Sequence, residues 1–580
     1  MKHNYLAGLF KLAVAITLIS MLVGCAAPQQ APVTVKETVI VEKEKQLEVT
    51  KVVEKMVTVA PELSEVSPPG SLPIVKEPLT LKILVNTSGG TTDYATDPYW
   101  KWFQEKTGVT LEFIVLPSQD AQQKFNLMLA SGDLPDIIAL RSFIIPLDQQ
   151  QVMADQELII PLNDLIDQYG FYSKQLLKDH PEVQTTMALN DGNMYMLPNY
   201  ADVFHVQFSQ KFFIYKPWLD KLGLKVPTTT EEYYEALKAF KTKDPNGNGK
   251  ADEVPMSCAN NWWNSEIDPF LMNPFVLNNT MDRNGTRSLF LKDGKIQAAF
   301  ADPGWKEGLK YLNKLYSEGL IDQQCLTNNF EQLQKLGTSE EVILGSAGGG
   351  GVFWTNWLGA DGRWKGYVPV PPLKGPSGLQ QIPYNIYQPI ELQGWMVSKT
   401  TKHPEVAFRL GDFMYSQEAT MNNAWGMEGQ CWRKPKTGEL GIGGGPALYV
   451  PLPTCIMDNG AGIYNGQPTY QSSAFRLGVA DNPDNPTEKL LYDWSLNVYA
   501  PYAVKDQIVP TALLFTPEEA TSMSEIRPAL YNIVDESMAG FVTGQMSIDN
   551  EWDTYLQRLQ EAGLDKFLAN FQAAYERKYK

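Results

Sequence analysis

Residues 79–140 alternate short apolar runs with helix-like segments, and no other feature constrains the fold of this chain as strongly. The apolar runs predict strands at 79–85, 109–116 and 137–140, and the segments between them predict helices at 97–107 and 118–131. Asp97-Pro98 starts the first helix and Gly108 ends it, as is usual at those positions. Strands that alternate with helices form a mostly parallel sheet covered by helices. The sequence therefore predicts an α/β fold.

The chain is too long for one hydrophobic core. It has 580 residues, and single cores stop growing beyond about 250–300 residues. Further helices are predicted where Thr229 and Glu232 form a capping box, and where Pro303 and Pro404 occupy first helical positions. We therefore expect two lobes or more.

The first residues have the composition of a secretion signal. Lys2, His3 and Lys11 precede an apolar stretch at 12–23, which is short for a membrane span. It ends in Leu22-Val-Gly-Cys25, which resembles the bacterial lipobox, in which the cysteine thiol takes a diacylglyceryl group and cleavage occurs just before it. We predict a lipoprotein signal peptide at 1–24 and lipidation at Cys25. A plain signal peptide, or a core helix with a chance cysteine, is the alternative.

The segment at 25–78 is predicted to be a flexible tether. Valine alternates with lysine and glutamate from Val33 to Val59, without glycine, tryptophan or phenylalanine. A heptad spacing at 49–59 allows a short coiled coil, but the spacing is not sustained upstream. Prolines between 61 and 73 end the segment. A solvated spacer between a membrane and a globular domain fits this composition.

Four cysteines remain after Cys25, namely Cys258, Cys325, Cys431 and Cys455. Disulfides are permitted outside the cytoplasm, and four cysteines allow three pairings, among which the sequence does not choose. None of them forms a C-x-x-C motif, and the chain has only four histidines. A Cys/His zinc site is therefore not expected.

The overall charge excludes one class of partner. The formal net charge is -17, and there is no run of clustered lysine and arginine. Phosphate backbones are bound by such basic clusters, so nucleic acid is not an expected partner.

One loop has oxygen-bearing side chains at every second position and glycine at the sixth. Such a loop curls its oxygens around a point, as a hard cation such as Ca²⁺ requires. The predicted ligands are Asp244, Asn246, Asn248, the backbone carbonyl of Lys250, Asp252 and Glu253. The twelfth position is Pro255 and not the glutamate of an EF-hand, so the bidentate role passes to Asp252 or Glu253. The predicted site is structural, and a metal-free Asn-Gly turn is the alternative.

Several of the 14 tryptophans lie in loops rich in glycine and asparagine and do not form helical stripes. Sugar rings combine apolar C–H faces with a rim of hydroxyls, which aromatic rings and polar side chains bind together. The candidate ligand-binding residues are Asn86, Asn199, Trp262, Trp263, Trp354, Asn356, Trp357, Trp395, Trp425, Glu428 and Trp432. Core packing is the alternative for any single tryptophan.

No catalytic motif stands out. The glycine-rich segment at 345–351 lacks the ending of a phosphate-binding loop and is interpreted as a tight turn that carries Trp354 into a cleft. The G-x-S-x-G and H-E-x-x-H motifs are absent. Paired glycosidase carboxylates remain open in so acidic a chain.

Several segments, taken in order, resemble the family 1 extracellular solute-binding proteins, in particular the large lipoproteins similar to alginate-oligosaccharide-binding proteins. They are the Ser-Gly-Asp-Leu-Pro-Asp run at 131–136, the Asn-Met-Tyr-Met-Leu-Pro run at 193–198, the stretch at 218–237 with the loop at 244–255, the His-Pro-Glu helix at 403–416 and the Gly-Met-Glu-Gly turn at 426–429. The sequence after about residue 435 has no clear counterpart. The loop's departure from an EF-hand is itself part of the family's pattern.

The resemblance implies two α/β lobes of a type II periplasmic-binding-protein fold, joined by crossing strands, with the ligand in the cleft. The crossings are expected near 198–201, near 387–390 and after Tyr415. The first lobe is then predicted at 79–199 and 388–420. The second lobe is predicted at 200–387, which includes the calcium loop, and at 421–580, which includes the C-terminal helices.

The resemblance also implies a function without catalysis. The chain is expected to bind a carbohydrate, in particular an oligosaccharide, by hinge closure, and to deliver it to an ABC permease. A monomer held by its lipid anchor at the extracytoplasmic face of the cell membrane is the expected form. A secreted hydrolase or lyase acting on glycans, and a binding protein for a peptide or another polar solute, are the alternatives.

Overall fold

The computed structural model describes residues 66–580 apart from 88–92, 118–120, 141–144, 261, 281–284, 356–360, 385–387, 453–467 and 484–485. The predicted signal peptide, Cys25 and the tether up to residue 65 lie outside the described residues. The described residues all belong to one unit. No helix in the described part of the chain has the length and apolar character to cross a membrane.

Short strands and helices of varied length follow one another along the chain. The strands are β1 (Leu79–Asn86), β2 (Val109–Leu116), β3 (Ile137–Ile138), β4 (Leu197–Ala201), β5 (Phe212–Tyr215), β6 (Leu289–Lys292), β7 (Lys295–Ala298), β8 (Ser346–Gly348), β9 (Tyr367–Pro369), β10 (Ile382–Pro383), β11 (Ile390–Val397), β12 (Trp432–Arg433), β13 (Val450–Pro451), β14 (Tyr470–Gln471) and β15 (Ala503–Val504). The helices are α1 (Pro98–Thr107), α2 (Ala121–Ser131), α3 (Leu147–Asp155), α4 (Asn163–Tyr169), α5 (Tyr172–Asp179), α6 (Glu182–Met187), α7 (Lys216–Leu222), α8 (Thr230–Thr242), α9 (Asp268–Leu271), α10 (Pro303–Ser317), α11 (Phe330–Gly337), α12 (Pro404–Met414), α13 (Gln417–Trp425), α14 (Ser473–Leu477), α15 (Thr487–Trp494), α16 (Pro517–Thr543), α17 (Ile548–Glu561) and α18 (Leu564–Tyr579).

Local capping residues place the helix starts where the sequence predicts them. The side chain of Asp97 accepts hydrogen bonds from the first backbone N–H groups of α1, and Gly108 ends that helix with a φ of 74°. Thr229 and Glu232 form the predicted capping box of α8. The side chain of Asp302 caps α10 by accepting a hydrogen bond from the backbone N–H of Gly304. These helices therefore have bounds that their own sequence determines.

A six-stranded sheet forms the first lobe, with strand order β14-β4-β11-β3-β1-β2. β1 pairs with β2 in parallel from Leu79–Val109 to Asn86–Leu116, and β1 also pairs in parallel with β3. β11 is antiparallel to both β3 and β4, whereas β14 is parallel to β4. The predicted β-α-β-α-β unit is thus present, with parallel strands β2-β1-β3 at one side of the sheet.

Two large hydrophobic cores define two lobes. The first core draws on residues 74–200 and 392–419, together with Ala512 and Leu514. The second core draws on 208–382 and 499–574, and so includes α8, α10 and the C-terminal helices α16, α17 and α18. Its three-stranded sheet, β8-β5-β9, is antiparallel. The residues after 435, which have no clear counterpart in sequence, supply the C-terminal helices of the second core.

The chain passes between the two cores beside three adjacent strands. β4 runs from the first core towards Phe208 in the second, and the chain returns from Ile382 in the second core to Leu392 on β11. β14 lies on the other side of β4 and is followed by α14 and α15. Strands β14, β4 and β11 therefore form a strip that joins the lobes.

A disulfide joins Cys258 to Cys325 within the second lobe. Of the three pairings that the sequence left open, this bond agrees only with the one that joins Cys258 to Cys325. Cys431 is also disulfide-bonded, and Cys455 lies outside the described residues.

Candidate functional site

A groove of about 730 Å³ opens in the second lobe and has two of the predicted tryptophans, Trp262 and Trp263, in its wall. We call it the tryptophan groove. Its other walls include the acidic side chains of Glu266, Asp268 and Asp535, and apolar side chains such as Met538. The loop that bears both tryptophans follows Cys258, whose disulfide fixes its start. Flat rings beside carboxylates are the combination that sugars require.

Both tryptophans of the groove are braced from behind. The ring of Trp262 stacks on Phe330 with centroids 3.9 Å apart. Trp263 packs against Gly350, where a Cβ atom would lie only 2.5 Å from the indole. Both side chains are partly exposed. Because the supporting side of each ring is packed, the rings form a preorganised surface for a ligand.

The polar side chains of the groove come from distant parts of the second lobe. Arg287, just before β6, forms an ion pair with Asp535 on helix α16. The Arg287 guanidinium lies 5.3 Å from the centre of the Tyr531 ring. Burial raises the pKa of Asp268, which accepts a hydrogen bond from Asn278 Nδ2 at 3.1 Å. Sequence reasoning missed these residues because no local motif links positions that are up to 267 residues apart.

Two of the predicted ligand residues are core residues in this structure. Trp354 is fully buried and packs against Phe213 and Tyr367. Trp395 is also fully buried, and its indole N–H donates to the carbonyl of Ala407 at 2.8 Å. The interpretation of these two rings as cleft residues is therefore corrected. The glycine-rich turn before Trp354 supports Trp263 and not a cleft-facing Trp354.

The other predicted tryptophans belong to a small separate cluster. Trp432 is buried, and its indole N–H donates to the carbonyl of Gly426 at 2.8 Å. Trp425 is half-buried and lies 5.5 Å from the ring of Tyr449. The nearby Glu428 is exposed and lies 3.7 Å from the ammonium of Lys434. The structure does not bring these residues to the tryptophan groove.

The predicted polar residues of the first lobe lie at strand ends. Asn86 is buried at the end of β1. Asn199 on β4 donates to Glu391 on β11 at 2.7 Å and accepts from the backbone N–H of Thr469 at 3.0 Å. Its side chain therefore ties the joining strands together. Asn356 and Trp357 lie outside the described residues.

The predicted calcium loop is curled around its own side chains. Asp244 has a φ of 44°, and its carboxylate accepts from the backbone N–H groups of Gly247, Asn248 and Gly249 at 2.9–3.1 Å. The side chains of Asn246 and Asn248 both donate to the Asp252 carboxylate at 2.9 Å. The side chains of the loop thus converge on one another.

The oxygen-bearing side chains of this loop are of the type that a hard cation takes as ligands. Hydrogen bonds from Asn246 and Asn248 lower the pKa of Asp252, so it is anionic at neutral pH, whereas burial raises the pKa of Glu253. Within the described ranges, no group of three or more His, Cys, Asp or Glu side chains is gathered for a metal. The oxygens of asparagines and of the Lys250 carbonyl would have to complete the shell. Asn248 also reaches Glu341, a carboxylate that the sequence did not point to.

The arrangement in two lobes has counterparts among known proteins. The model of the family described as bacterial extracellular solute-binding protein matches residues 88–421, more than half of the chain. The chain belongs to this family. The predicted resemblance is thereby confirmed, and the chain is a solute-binding protein and not a secreted hydrolase or lyase.

Individual members of the family show how far the likeness extends. The fructooligosaccharide ABC transporter substrate-binding protein FusA of Streptococcus pneumoniae is 27% identical over 82% of this chain and 85% of its own length. The structure of FusA in complex with kestose superposes with a TM-score of 0.72 and 25% identity, and covers 86% of this chain and 99% of FusA. An extracellular solute-binding protein from Bifidobacterium longum subsp. infantis is 21% identical over 86% of this chain and 98% of its own, with a TM-score of 0.71. The two-lobed fold predicted from sequence is the fold of these solute-binding proteins.

Proposed function

We propose that this solute-binding protein is the extracytoplasmic substrate-binding component of an ABC importer and that it captures an uncharged oligosaccharide. The observation that carries the proposal is the tryptophan groove, where two braced indole rings stand beside carboxylates. The likeness to FusA, whose structure holds kestose, supports the same class of ligand. Closure of the two lobes over the sugar follows if the ligand has a higher affinity for the closed form.

The charge of the groove supports a neutral ligand. Its lining includes three acidic side chains, Glu266, Asp268 and Asp535, and one basic side chain, Arg287, which is already paired with Asp535. A uronate would bring further negative charge to a chain whose net charge is already -17. Sugar hydroxyls, in contrast, both donate to carboxylates and stack through their C–H faces.

Titration calorimetry with kestose, nystose and a trigalacturonate tests the proposal. We expect the parent protein to bind a neutral oligosaccharide and to show no binding of the uronate. Trp263→Ala is expected to weaken sugar binding about tenfold or more because it removes a stacking surface. Trp364→Ala serves as the matched control, since Trp364 lies outside the groove lining.

The same samples test closure and the absence of chemistry. Small-angle scattering is expected to show a smaller radius of gyration in the sugar complex, and chromatography is expected to return the sugar unchanged. The proposal is overturned if the uronate binds and the neutral sugars of a wider glycan panel do not, or if sugar is cleaved.

We also propose that the loop with Asp244, Asn246, Asn248, Lys250, Asp252 and Glu253 holds a structural Ca²⁺. Its oxygen-rich donor set and the anionic Asp252 support this assignment. A solved FusA variant is described as an EF-hand mutant, which supports a cation-binding loop in that relative. The ion would cross-link the turn after α8. It would take no part in binding the sugar, which binds in the tryptophan groove.

The proposal also includes the location of the protein at the cell membrane and its membrane partner. Cys25 in its lipobox context supports a lipid anchor on the outer face of the cell membrane, from which the monomeric protein delivers sugar to a membrane permease. The two hydrophobic cores support a division into lobes at 79–199 with 388–420, and at 200–387 with 421–580, except that β14, Ala512 and Leu514 pack with the first lobe.

A further inference from the structure

The two tryptophans of the groove belong to a tight turn whose third residue is Asn264. The backbone N–H of Ser265 donates to the carbonyl of Trp262 at 2.7 Å and closes this turn. Asn264 has a φ of 57°, in the left-handed region that few residues other than glycine and asparagine adopt readily. Trp263 directly precedes it, so the conformation of Asn264 helps to fix the direction in which the Trp263 side chain leaves the turn.

The side chain of Asn264 ties the turn to a buried part of the second lobe. Asn264 is only 5% exposed, and its Nδ2 donates to the hydroxyl of Ser209 at 2.9 Å. Its Oδ1 accepts a hydrogen bond from the hydroxyl of Thr280 at 3.4 Å. Both ends of the amide are therefore engaged within the protein.

Ser209 gives the turn a rigid attachment point. It is fully buried and lies just before β5, the central strand of the sheet β8-β5-β9. The backbone N–H of Lys211 donates to the carbonyl of Ser209 at 2.8 Å, and the Lys211 ammonium donates to the carbonyls of His205 and Phe208. These bonds fix the segment between β4 and β5. Ser209 itself lies outside the lining of the tryptophan groove.

Backbone hydrogen bonds hold the other residues of the turn. The carbonyl of Trp263 accepts from the N–H of Gly350 at 3.0 Å, and the carbonyl of Ser265 accepts from the N–H of Ala259 at 3.0 Å. The turn is thus fixed to two separate elements. Trp263 joins it to the glycine-rich segment, and Asn264 joins it to the start of β5.

We propose that Asn264 and Ser209 are positioning residues for sugar binding, because they hold the turn in the conformation that presents the Trp263 ring to the ligand. This inference rests on the proposed function and extends it, since these two residues act on the sugar through Trp263 and not by contact with it. When the Asn264 side chain is released, the turn also populates other conformations. Only the fraction with the Trp263 ring in place then binds sugar at full strength, and the apparent dissociation constant rises in inverse proportion to that fraction.

Calorimetry of Ser209→Ala with kestose and nystose tests this assignment. The substitution leaves the groove lining unchanged but removes the acceptor of Asn264 Nδ2. We expect the dissociation constant to rise about fivefold, because a buried donor without an acceptor favours a rearranged turn. Ser398→Ala, which removes a buried serine hydroxyl from the first lobe, is the matched control and is expected to bind as the parent does. Thermal unfolding of each variant reports any loss of fold.

Substitutions of Asn264 separate the contribution of its side chain from that of its backbone. In Asn264→Gly the positive φ is kept without steric cost, but the hydrogen bond to Ser209 is lost. This variant is expected to lose at least as much affinity as Ser209→Ala. Asn264→Val introduces a β-branched residue that disfavours the positive φ, and it is expected to bind more weakly still.

The decisive measurement repeats the substitutions in the Trp263→Ala background. If Ser209 acts through the Trp263 ring, Ser209→Ala changes the affinity of that variant by less than about twofold, whereas a general loss of structure lowers the affinity by the same factor in both backgrounds. Asn264→Gly is compared in the same two backgrounds, so the result does not depend on the folding of one variant.

The inference is overturned if folded Ser209→Ala and Asn264→Gly both bind like the parent, or if their loss of affinity persists in full in the Trp263→Ala background. In either case the proposed function stands as long as the parent binds sugar. If the parent binds no neutral oligosaccharide of the panel, both proposals fall.

Discussion

Lys211 is fully buried, and its ammonium group donates to the carbonyls of His205 and Phe208 at 2.8 and 2.7 Å. Burial disfavours the charged form and lowers the pKa of Lys211 from 10.5 to about 7. Between these values the unfolded chain binds a proton that the folded chain does not. The free energy of unfolding therefore rises with pH across that window, and the penalty is fully present below pH 7.

Substitution of this lysine is expected to flatten the pH dependence. Lys211→Met removes the proton linkage, so denaturant titrations between pH 6.5 and 9 should show a smaller rise in unfolding free energy than in the parent. Lys216→Met, at a position whose side chain is 47% exposed, is the control and should keep the parent slope. Equal slopes for Lys211→Met and the parent would contradict the assignment.

Local sequence does not report how deeply a side chain is buried, and this limits what could be predicted for single residues. Trp263 lies in a loop with several asparagines, and Trp354 lies three residues after a glycine-rich turn. Trp263 nevertheless lines a groove, whereas Trp354 is in a core. The difference arises from partners such as Phe213, 141 positions away from Trp354, which local sequence does not report.

At the scale of single elements, the loop that starts at Asp244 gives a prediction about calcium. Chelation with EGTA is expected to lower the melting temperature of the parent without changing the stoichiometry of sugar binding. Asp244→Ala is expected to melt lower than the parent and to be insensitive to EGTA. Asp220→Ala, at an exposed position on α7, should respond like the parent. If the melting temperature of the parent does not change although removal of all calcium has been verified, the calcium site is refuted.

The disulfide between Cys258 and Cys325 closes a loop that spans 67 positions. Closing a loop of that length stabilises the folded state by about 4 kcal/mol when it restricts only the unfolded chain. We expect Cys258→Ser with Cys325→Ser to lower the melting temperature and also to weaken sugar binding, because Trp262 and Trp263 follow this link. Loss of stability with unchanged affinity would show that the groove does not depend on it.

Elements whose ends carry their own signals were the predictable part of the fold. α1, α8 and α10 begin at capping residues that the sequence displays. β3 is shorter than predicted, at Ile137–Ile138, because its length depends on pairing with β1 and β11. The strand order β14-β4-β11 could not be read from local pattern either, since it brings together residues from three distant stretches of the chain.

At the scale of the whole molecule, the proposed lipid anchor gives a prediction about location. In a bacterial host that processes lipoproteins, the parent is expected in the membrane fraction, and mass spectrometry should find a diacylglyceryl group on the N-terminal Cys25. Cys25→Ser is expected in the soluble extracytoplasmic fraction with unchanged sugar affinity. Recovery of both proteins in the soluble fraction would contradict the anchor.

The strip of three adjacent strands between the lobes has a mechanical consequence. Neighbouring strands are about 4.8 Å apart, so the pivot is only about 10 Å wide, whereas each lobe extends well beyond it. When a lobe rotates about this strip, each atom moves by an amount that grows with its distance from the axis. A rotation of a few degrees therefore moves the parts of a lobe farthest from the strip by several ångströms. Asn199 ties these strands together through Glu391 and Thr469, and its hydrogen bonds therefore add to the bending stiffness of the strip.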